Sequence, residues 1–372
     1  MQNLDILIIG GGIGGLSAAI ALGRAGHRIT VIEKDPKWGV YGVGIIQQAN
    51  VLRAVRQLGI LDDYLAAGCG FDQVEIYAPS GQKVATVPAH RLVEGCPAVL
   101  GISRPALHAT LGRHAQGAGA RVRLGLVVDT LVDDGNGVTA RLSDGSTSRH
   151  DLVIGADGLY SRTRTQIFPE APQPAFTGQA VWRYNFPRPA DVTCMHVYDG
   201  PMGIGLVPLS PTLMYMYVTT PEPGNPRHAG DALAATMRAR LANVVAPRMA
   251  QLREAITDNA SVVYRPLEWL FLTGPWHRGR VALLGDAVHA TTPHLGQGAG
   301  MAIEDAVVLA EELARNAAPD VALRAYRDRR FERCRYIVEA SLAICRGQLG
   351  QGPLIDQTRA STEMFDVIAR PI

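Results

Sequence analysis

The sequence has few cysteines, no long apolar run and almost no net charge. Its five cysteines are scattered along 372 residues without a C-x-x-C pair, which argues against a disulfide framework, a zinc site or a redox-active dithiol and is typical of a reducing cytoplasm. Arg, Glu or Gly residues interrupt each apolar stretch well before it could span a bilayer. A formal net charge of +2 gives no electrostatic reason to expect nucleic acid as a partner. We therefore expect a cytoplasmic protein that binds no nucleic acid, no membrane and no metal.

The overall composition indicates a globular protein. Hydrophobic residues make up 47% of the chain and charged residues 19%, a balance that supports a large core rather than a disordered chain. The length favours two domains. The chain enters an apolar strand within its first residues, without the basic region and cleavage site of a signal peptide.

The first motif is a glycine-rich turn between a strand and a helix. The Ile-rich run Leu4–Ile9 predicts a buried parallel strand, and a helical pattern starts at Leu16. Between them, Gly10 permits a tight turn, Gly12 lets a pyrophosphate approach the backbone, and Gly15 allows the helix to pack closely on the strand. The helix N-terminus offers free N–H groups and a partial positive charge to phosphates.

A second strand and an acidic residue complete a dinucleotide-binding unit. The run Arg28–Ile32 ends at Glu33, which is spaced to accept hydrogen bonds from the ribose hydroxyls of an adenosine. Lys34, beside it, belongs to the same predicted site. The flanking strand, helix and acid make this motif specific for an adenine dinucleotide, although alone it does not distinguish FAD from NAD.

Later segments carry further motifs at the ends of short strands and at helix starts. Gly155-Ala156-Asp157-Gly158 follows one buried strand and Gly285-Asp286 follows another. Gly296-Gln297-Gly298 opens a helix, and Arg104 begins an earlier helix that Ser103 can cap. Ordinary turns would explain each glycine group singly, but they do not explain the whole set.

Together these residues resemble the group A FAD-dependent aromatic monooxygenases, the para-hydroxybenzoate hydroxylase-like and salicylate hydroxylase-like family. The resemblance spans Ile6 to about Leu313. It rests on three motifs in the family's order: the glycine turn Gly10–Gly15, Asp157-Gly158 and Gly285-Asp286. It implies FAD as the cofactor, with Asp286 bonded to the flavin ribityl chain and Arg104 near the pyrophosphate or ribityl region. It also implies that Asp157 has both a structural and a pyridine-nucleotide role.

The resemblance also implies which backbone lies beside the isoalloxazine ring. Gly44, together with Gly42, matches a mobile stretch that approaches the flavin closely. The N–H groups of Gly296, Gln297 and Gly298 would face the flavin pyrimidine edge, where a helix N-terminus stabilises the negative charge of reduced flavin.

The implied reaction is a hydroxylation that consumes NAD(P)H and dioxygen. NAD(P)H would reduce FAD, dioxygen would add to form a flavin C4a-hydroperoxide, and a small aromatic or N-heteroaromatic substrate would receive the oxygen atom. Neither the substrate nor the choice between NADH and NADPH follows from the sequence. The expected assembly is a monomer or a homodimer.

The pattern of segments and the resemblance predict an α/β fold. We expect a Rossmann-like FAD-binding domain of the GR2 type, interrupted by a mostly antiparallel β substrate domain and followed by a C-terminal helical region. The predicted ranges are 1–72, 97–174 and 271–320 for the FAD-binding domain, 73–96 and 175–270 for the substrate domain, and 321–372 for the helical region.

Three side chains are candidates for contact with the substrate. A neutral His294 could accept a phenolic proton, or it could only hydrogen-bond locally. Arg183 could bind a carboxylate or hydroxyl of the substrate, or form an exposed salt bridge. Tyr215 shares one strand face with Tyr217; it could line the pocket or be an ordinary core or edge aromatic, since aromatics are favoured in strands, and either face of that sheet could cover the pocket. By contrast, we expect His289 to be structural and the arginine-rich helix around 324–335 to be a solvated face.

Other functions remain open. A different flavin oxidoreductase on this fold, such as a reductase or an oxidative decarboxylase, would share the motifs, as would a non-catalytic flavin-binding sensor. A plain NAD dehydrogenase would not need Asp286 or Gly296–Gly298. Halogenation is disfavoured because Trp182–Pro187 lacks the second Trp and the Ile of the halogenase W-x-W-x-I-P segment.

Overall fold

The computed structural model describes residues 3–372, in which all five cysteines are unpaired. The strands are β1 Asp5–Ile9, β2 Arg28–Glu33, β3 Gly44–Gln48, β4 Gly68–Phe71, β5 Gln73–Tyr77, β6 Lys83–Pro88, β7 Val99–Ser103, β8 Arg121–Leu124, β9 Val128–Asp133, β10 Val138–Leu142, β11 Thr147–His150, β12 Leu152–Gly155, β13 Ala175–Pro187, β14 Met195–Tyr198, β15 Ile204–Pro208, β16 Leu213–Pro221, β17 Val263–Trp269, β18 His277–Arg278 and β19 Val281–Leu283. The α-helices are α1 Ile13–Arg24, α2 Ala49–Gln57, α3 Leu61–Ala66, α4 Arg104–Gly117, α5 Arg162–Ile167, α6 Leu233–Arg240, α7 Pro247–Ala255, α8 Asp286–His289, α9 Gly298–Arg315, α10 Pro319–Gln348 and α11 Gln357–Ile368, with short 3-10 turns at Gly230–Ala232, Asn259–Ser261 and Pro293–Leu295.

A mostly parallel sheet, in the order β18-β19-β12-β1-β2-β8, organises the nucleotide-binding part of the chain. Its strand β1 lies between β12 and β2, parallel to both, and Ile6, Leu7 and Ile8 are fully buried, as expected of a strand covered on both faces. Ligands bind outside the carboxyl ends of such strands. The turns after β1, β12 and β19 meet at that edge, where the Ala156 N–H donates to the carbonyl of Ile9 at 2.8 Å.

A second sheet, in the order β17-β13-β16-β15-β14-β5-β6, is antiparallel except where β14 pairs with β5. The hairpin of β5 and β6 comes from early in the chain and joins strands from 175 onward. One face of the sheet carries Trp182, Met214 and Met216, which pack against α6 and α7. The predicted fold class is thereby confirmed, whereas the exact residue ranges of the domains stay a prediction. Two smaller sheets, β11-β10-β9 and β3-β7-β4, complete the architecture.

Local features of the sequence explain where several helices begin and end, and the predicted cap at Ser103 is confirmed. Gly26 follows α1 with a φ of 91°, and the Ser103 hydroxyl accepts from the Ala106 N–H at the start of α4. Helix α6 ends at Arg240. Helices α9 and α10 are separate because Asn316 is extended and Pro319 starts the second one. Within residues 3–372, no helix is both long and apolar enough to cross a membrane.

The prediction that the arginines of α10 form a solvated face is wrong for two of them. Arg330 is fully buried and Arg333 is 9% exposed. The Arg330 guanidinium contacts Asp305 at 2.8 Å and Glu304 at 2.7 Å, and Arg333 contacts Glu304 at 3.1 Å. The reason is that α10 packs on α9, whose buried side carries these two carboxylates, and buried charges need partners. Arg324 and Arg335 are exposed as predicted.

Candidate active site

The three glycines of the first motif have different surroundings. Gly10 has a φ of 109°, and a Cβ there would lie 2.4 Å from the carbonyl oxygen of Ala156. A Cβ at Gly15 would lie 1.9 Å from the carbonyl oxygen of Gly10. A Cβ at Gly12 would meet no atom within 4 Å, and Gly12 lines a cavity of about 1190 Å³. Gly10 and Gly15 therefore serve packing, whereas Gly12 leaves the N-terminus of α1 open to an anionic ligand.

The acidic residue at the end of β2 faces the glycine turn. Glu33 accepts hydrogen bonds from the Gly11 N–H at 2.8 Å and from the Asp35 N–H at 2.9 Å. Its predicted contact with a ribose stays a prediction. Lys34 is exposed and does not line the cavity. Asp35 does line it, and its pKa is lowered by the N–H groups of Lys37 and Gly39.

Two side chains that the sequence analysis missed support the glycine turn from outside. The Trp38 indole N–H donates to the carbonyl oxygen of Gly11 at 2.9 Å, and Nε2 of His108 lies 2.9 Å from the same oxygen. The two rings meet edge to face at 5.1 Å. Trp38 has a φ of 49°, a conformation that a non-glycine residue keeps only when its surroundings enforce it. Neither residue carries a motif or a periodicity that could have signalled this role.

Asp157 organises the turn after β12. Its carboxylate accepts from the Ser161 hydroxyl at 2.5 Å and from both the N–H and the hydroxyl of Thr163 at 3.0 Å. Its neighbours Ala156 and Gly158 line the cavity, but Asp157 does not. The structure thus accounts for the structural part of its predicted double role, and its contact with a nucleotide stays a prediction.

Two charged side chains face the middle of the cavity without protein partners. Arg104 at the start of α4 and Asp286 at the start of α8 both line it, and neither has a hydrogen-bond or ion-pair partner among the side chains described. Burial raises the pKa of Asp286, against the opposing effects of His289 and Arg104, and burial lowers the pKa of Arg104. Unpaired charged groups in such surroundings are costly. A polar ligand with donors for Asp286 and acceptors for Arg104, such as a ribityl-phosphate chain, fits between them.

The segment before α9 presents backbone rather than side chains to the cavity. Gly296 has a φ of 64° and ends a 3-10 turn, and Gly298 begins α9. Both line the cavity. The Gln297 side chain is buried away from it and exchanges hydrogen bonds with the Asn50 side chain at 3.0 and 3.1 Å. Any contact of Gln297 with a cofactor would therefore use its N–H group.

Gly44 lies under a tyrosine of the second sheet. A Cβ at Gly44 would come within 2.2 Å of the Tyr215 ring, so the glycine allows β3 and β16 to approach. The carbonyl oxygen of Gly42 accepts from the Asn185 side-chain amide at 2.6 Å. The expected motion of this stretch stays a prediction.

His294 lines the cavity with both ring nitrogens occupied. Nδ1 lies 2.9 Å from the Thr292 hydroxyl, and Nε2 lies 3.1 Å from Oε1 of Gln348. An amide oxygen only accepts, so Nε2 carries the proton and Nδ1 accepts from Thr292. Burial lowers the pKa of His294 to about 4, which makes it a weak base. The geometry therefore favours local hydrogen bonding over the predicted acceptance of a phenolic proton. His289 is fully buried, with Nε2 2.6 Å from Asp305, in agreement with a structural role.

The second sheet covers the cavity with the face that carries Arg183, Tyr215 and Tyr217. Trp182 lies on the opposite face and is fully buried. Arg183 has no ion-pair partner in the described part of the chain, so the alternative of an exposed salt bridge is wrong. Burial, followed by repulsion from Arg104, lowers the pKa of Arg183 to about 10. The guanidinium thus remains protonated at neutral pH and is free to bind a ligand.

The glycine turn at the end of β1 and the second sheet over the cavity together define the class of protein. It is a dinucleotide-binding α/β protein in which a second sheet closes a large cavity over the nucleotide site. The family model described as "FAD binding domain" matches residues 3–341, and the chain belongs to this family of FAD-dependent aromatic monooxygenases.

The similarity to known relatives extends over nearly the whole length of this chain. The chain is 32% identical to the putative FAD-dependent monooxygenase YetM of Bacillus subtilis, over 94% of this chain and 95% of the relative. It is 31% identical to the 2-heptyl-3-hydroxy-4(1H)-quinolone synthase of Pseudomonas aeruginosa, over 94% and 90%. The crystal structure of Klebsiella pneumoniae HpxO complexed with FAD and uric acid superposes with a TM-score of 0.84 at 28% identity, over 98% and 93%. The protein is an FAD-dependent monooxygenase.

Proposed function

We propose that this monooxygenase hydroxylates an aromatic or N-heteroaromatic ring that binds between FAD and the cavity face of the second sheet. The observation that carries the proposal is Arg183, a protonated and unpaired guanidinium in the ceiling of the cavity beside Tyr215. Such a group favours a ring bearing an ionisable hydroxyl, carboxyl or lactam group.

The residues that would hold FAD follow the length of the cavity. The open N-terminus of α1 at Gly12 would bind the pyrophosphate, Arg104 and Asp286 the ribityl-phosphate region, and Gly296 with Gly298 the pyrimidine edge. Bound FAD would supply hydride acceptance from NAD(P)H and oxygen transfer from dioxygen, by the C4a-hydroperoxide route that the family resemblance implies.

The protein's part is to bind the ring and to stabilise its anion. Arg183 creates a positive potential that lowers the pKa of a hydroxyl placed against it. The ring anion is richer in electrons than its neutral form and reacts more readily with an electrophilic oxygen. We therefore assign the activating role to Arg183 rather than to His294, and we propose that Tyr215 orients the ring.

The relatives favour nitrogen heterocycles within this substrate class. The Pseudomonas enzyme is named for a hydroxyquinolone, and the HpxO crystal structure contains uric acid. Both compounds are flat rings with ionisable lactam or hydroxyl groups. We therefore place quinolones and related N-heteroaromatics first in a substrate panel and hydroxybenzoates second.

The test compares Arg183→Gln with the wild-type holoenzyme in NAD(P)H oxidation and product formation on this panel. We expect the variant to retain FAD and to lose about 100-fold in kcat/KM, the order of an interaction with a charged partner worth about 3 kcal/mol. Arg335→Gln, at an exposed position on α10, is the matched control and should behave as wild type. A panel that stimulates NAD(P)H oxidation without ring hydroxylation would instead indicate a reductase, and an Arg183→Gln variant of full activity would contradict the assigned role.

A further inference from the structure

The cavity continues beyond the region of Arg183 along the second sheet. A row of paired residues crosses its ceiling: Arg183 pairs with Tyr217, Tyr217 with Gly205, Gly205 with Val197, and Val197 with Ile76. Neighbouring strands lie about 4.8 Å apart, so the four steps span about 19 Å. This distance is longer than a bicyclic ring needs.

The polarity of the ceiling changes along this row. Arg183 stands at one end, and β17 with Arg265 and Glu268 lies beyond it. At the other end the lining side chains are Val197 and Ile76, together with Met195 and Val74, which pair with each other. We call the part of the cavity under these four apolar side chains the apolar branch.

The opposite wall of the apolar branch is also apolar. Ile46 of β3, Phe71 of β4 and Val99 of β7 face it, and Phe71 and Val99 are buried. Phe365 of α11 closes one side, with its ring 4.6 Å from that of His90. The ionisable side chains that line this end of the cavity, among the described residues, are those of Asp199 and His90, and both are exposed at the rim. The branch therefore contains little that must be desolvated when a hydrocarbon enters.

We propose that the apolar branch binds a hydrocarbon chain attached to the aromatic substrate. The inference rests on the proposed function, because it places the ring at Arg183 and runs the chain from there toward Ile76. Each methylene that leaves water for this branch adds to affinity. Since Asp199 and His90 mark an exposed rim, the gain ends once the chain passes Ile76 and reaches solvent.

The first experiment measures binding without turnover. The holoenzyme with oxidised FAD is titrated with 4(1H)-quinolones carrying a 2-methyl, 2-pentyl or 2-heptyl group and with salicylates carrying the same chains, and Kd is read from the change in flavin absorbance. We expect Kd to fall at least tenfold from methyl to heptyl on the same ring. A Kd that stays constant or rises with chain length overturns the proposal.

Turnover of the same compounds separates this inference from the proposed function. Hydroxylation of the methyl compounds without any dependence of Kd on chain length overturns the apolar branch and leaves the proposed function standing. Chain-dependent binding without hydroxylation of any compound supports the branch and contradicts the proposed function.

A filled branch gives the second test. In Ile76→Phe the larger side chain occupies the branch, so the ratio of Kd for the methyl and heptyl compounds should fall at least fivefold. Val84→Phe, on the exposed part of β6 outside the cavity, is the matched control and should keep the wild-type ratio. Val197→Phe repeats the test from the neighbouring strand if Ile76→Phe does not fold. An unchanged ratio in the folded variant overturns the proposal.

Discussion

Gly12 and Gly15 stand in the same turn, yet a methyl group would have opposite consequences at the two positions. At Gly15 it would collide with the carbonyl oxygen of Gly10, whereas at Gly12 it would project into the cavity without touching protein. The backbone at Gly12 is extended, with a φ of −84°, so alanine is free of strain there. Alanine substitutions at the two positions can therefore distinguish an effect on cofactor binding from an effect on packing.

For Gly12→Ala we expect an apoprotein that melts close to wild type but binds FAD at least tenfold more weakly, because the methyl group occupies the approach of the pyrophosphate. Gly15→Ala should lose about 1–3 kcal/mol of unfolding free energy from overpacking. Gly117→Ala, where a Cβ also meets no atom but lies outside the cavity, is the control. Thermal melts of the apoproteins and FAD titrations measure both effects. Wild-type FAD affinity in Gly12→Ala would contradict the placement of the pyrophosphate.

His294 provides a second prediction, based on the pH dependence of the reaction. With its pKa lowered by burial to about 4, His294 is neutral at the pH values near neutrality at which the reaction would be measured. The profile of kcat/KM between about pH 6 and pH 8 should therefore show no limb that disappears in His294→Asn, which can keep one of the two local hydrogen bonds. A limb near the ordinary histidine pKa of about 6.5 that is lost in this variant would restore His294 as a base.

At the scale of elements, the interface between α9 and α10 contains buried charged side chains and is not purely apolar. Arg330 binds both Glu304 and Asp305, while Asp305 also binds His289 at 2.6 Å and accepts from the N–H of Gly285 at 3.0 Å. Although burial alone would raise it, the pKa of Asp305 is held at about 2 by His289 and Arg330. The network thus connects the long helix α10 to the turn that positions Asp286.

Removing the cation from this network should strongly destabilise the fold. Arg330→Met removes the one cation shared by two buried carboxylates and leaves Arg333 on Glu304 and His289 on Asp305; breaking a buried charge pair in this way typically costs about 3–5 kcal/mol of unfolding free energy. Arg335→Met removes an exposed arginine from the same helix and should cost less than about 1 kcal/mol. Urea unfolding of the two variants at neutral pH provides the comparison. Equal stabilities would show that the buried charges do not hold α10 on α9.

Across the whole molecule, the segment pattern and the family resemblance together were sufficient for the fold class. Strands β1 and β2, the glycine turn between β1 and α1, and the cap at Ser103 depend on neighbouring residues, and these predictions are confirmed. The roles of Trp38 and His108 depend on contacts between residues far apart in sequence, which no local pattern signals. Arg330 could not be distinguished from exposed Arg335 by sequence either, because both are arginines of α10 and only tertiary packing buries Arg330. Which face of the second sheet covers the cavity also depends on tertiary contacts, because the aromatic residues occur on both faces.

The most direct test of the proposed function follows the oxygen atom. The holoenzyme is supplied with NAD(P)H, labelled dioxygen (¹⁸O₂) and the quinolone and salicylate panel, and the ring products are analysed by mass spectrometry. We predict a product that carries one labelled oxygen atom on the ring, formed in step with NAD(P)H consumption. NAD(P)H oxidation that yields only hydrogen peroxide with every ring in the panel, or a product whose new oxygen comes from water, would contradict the proposed hydroxylation.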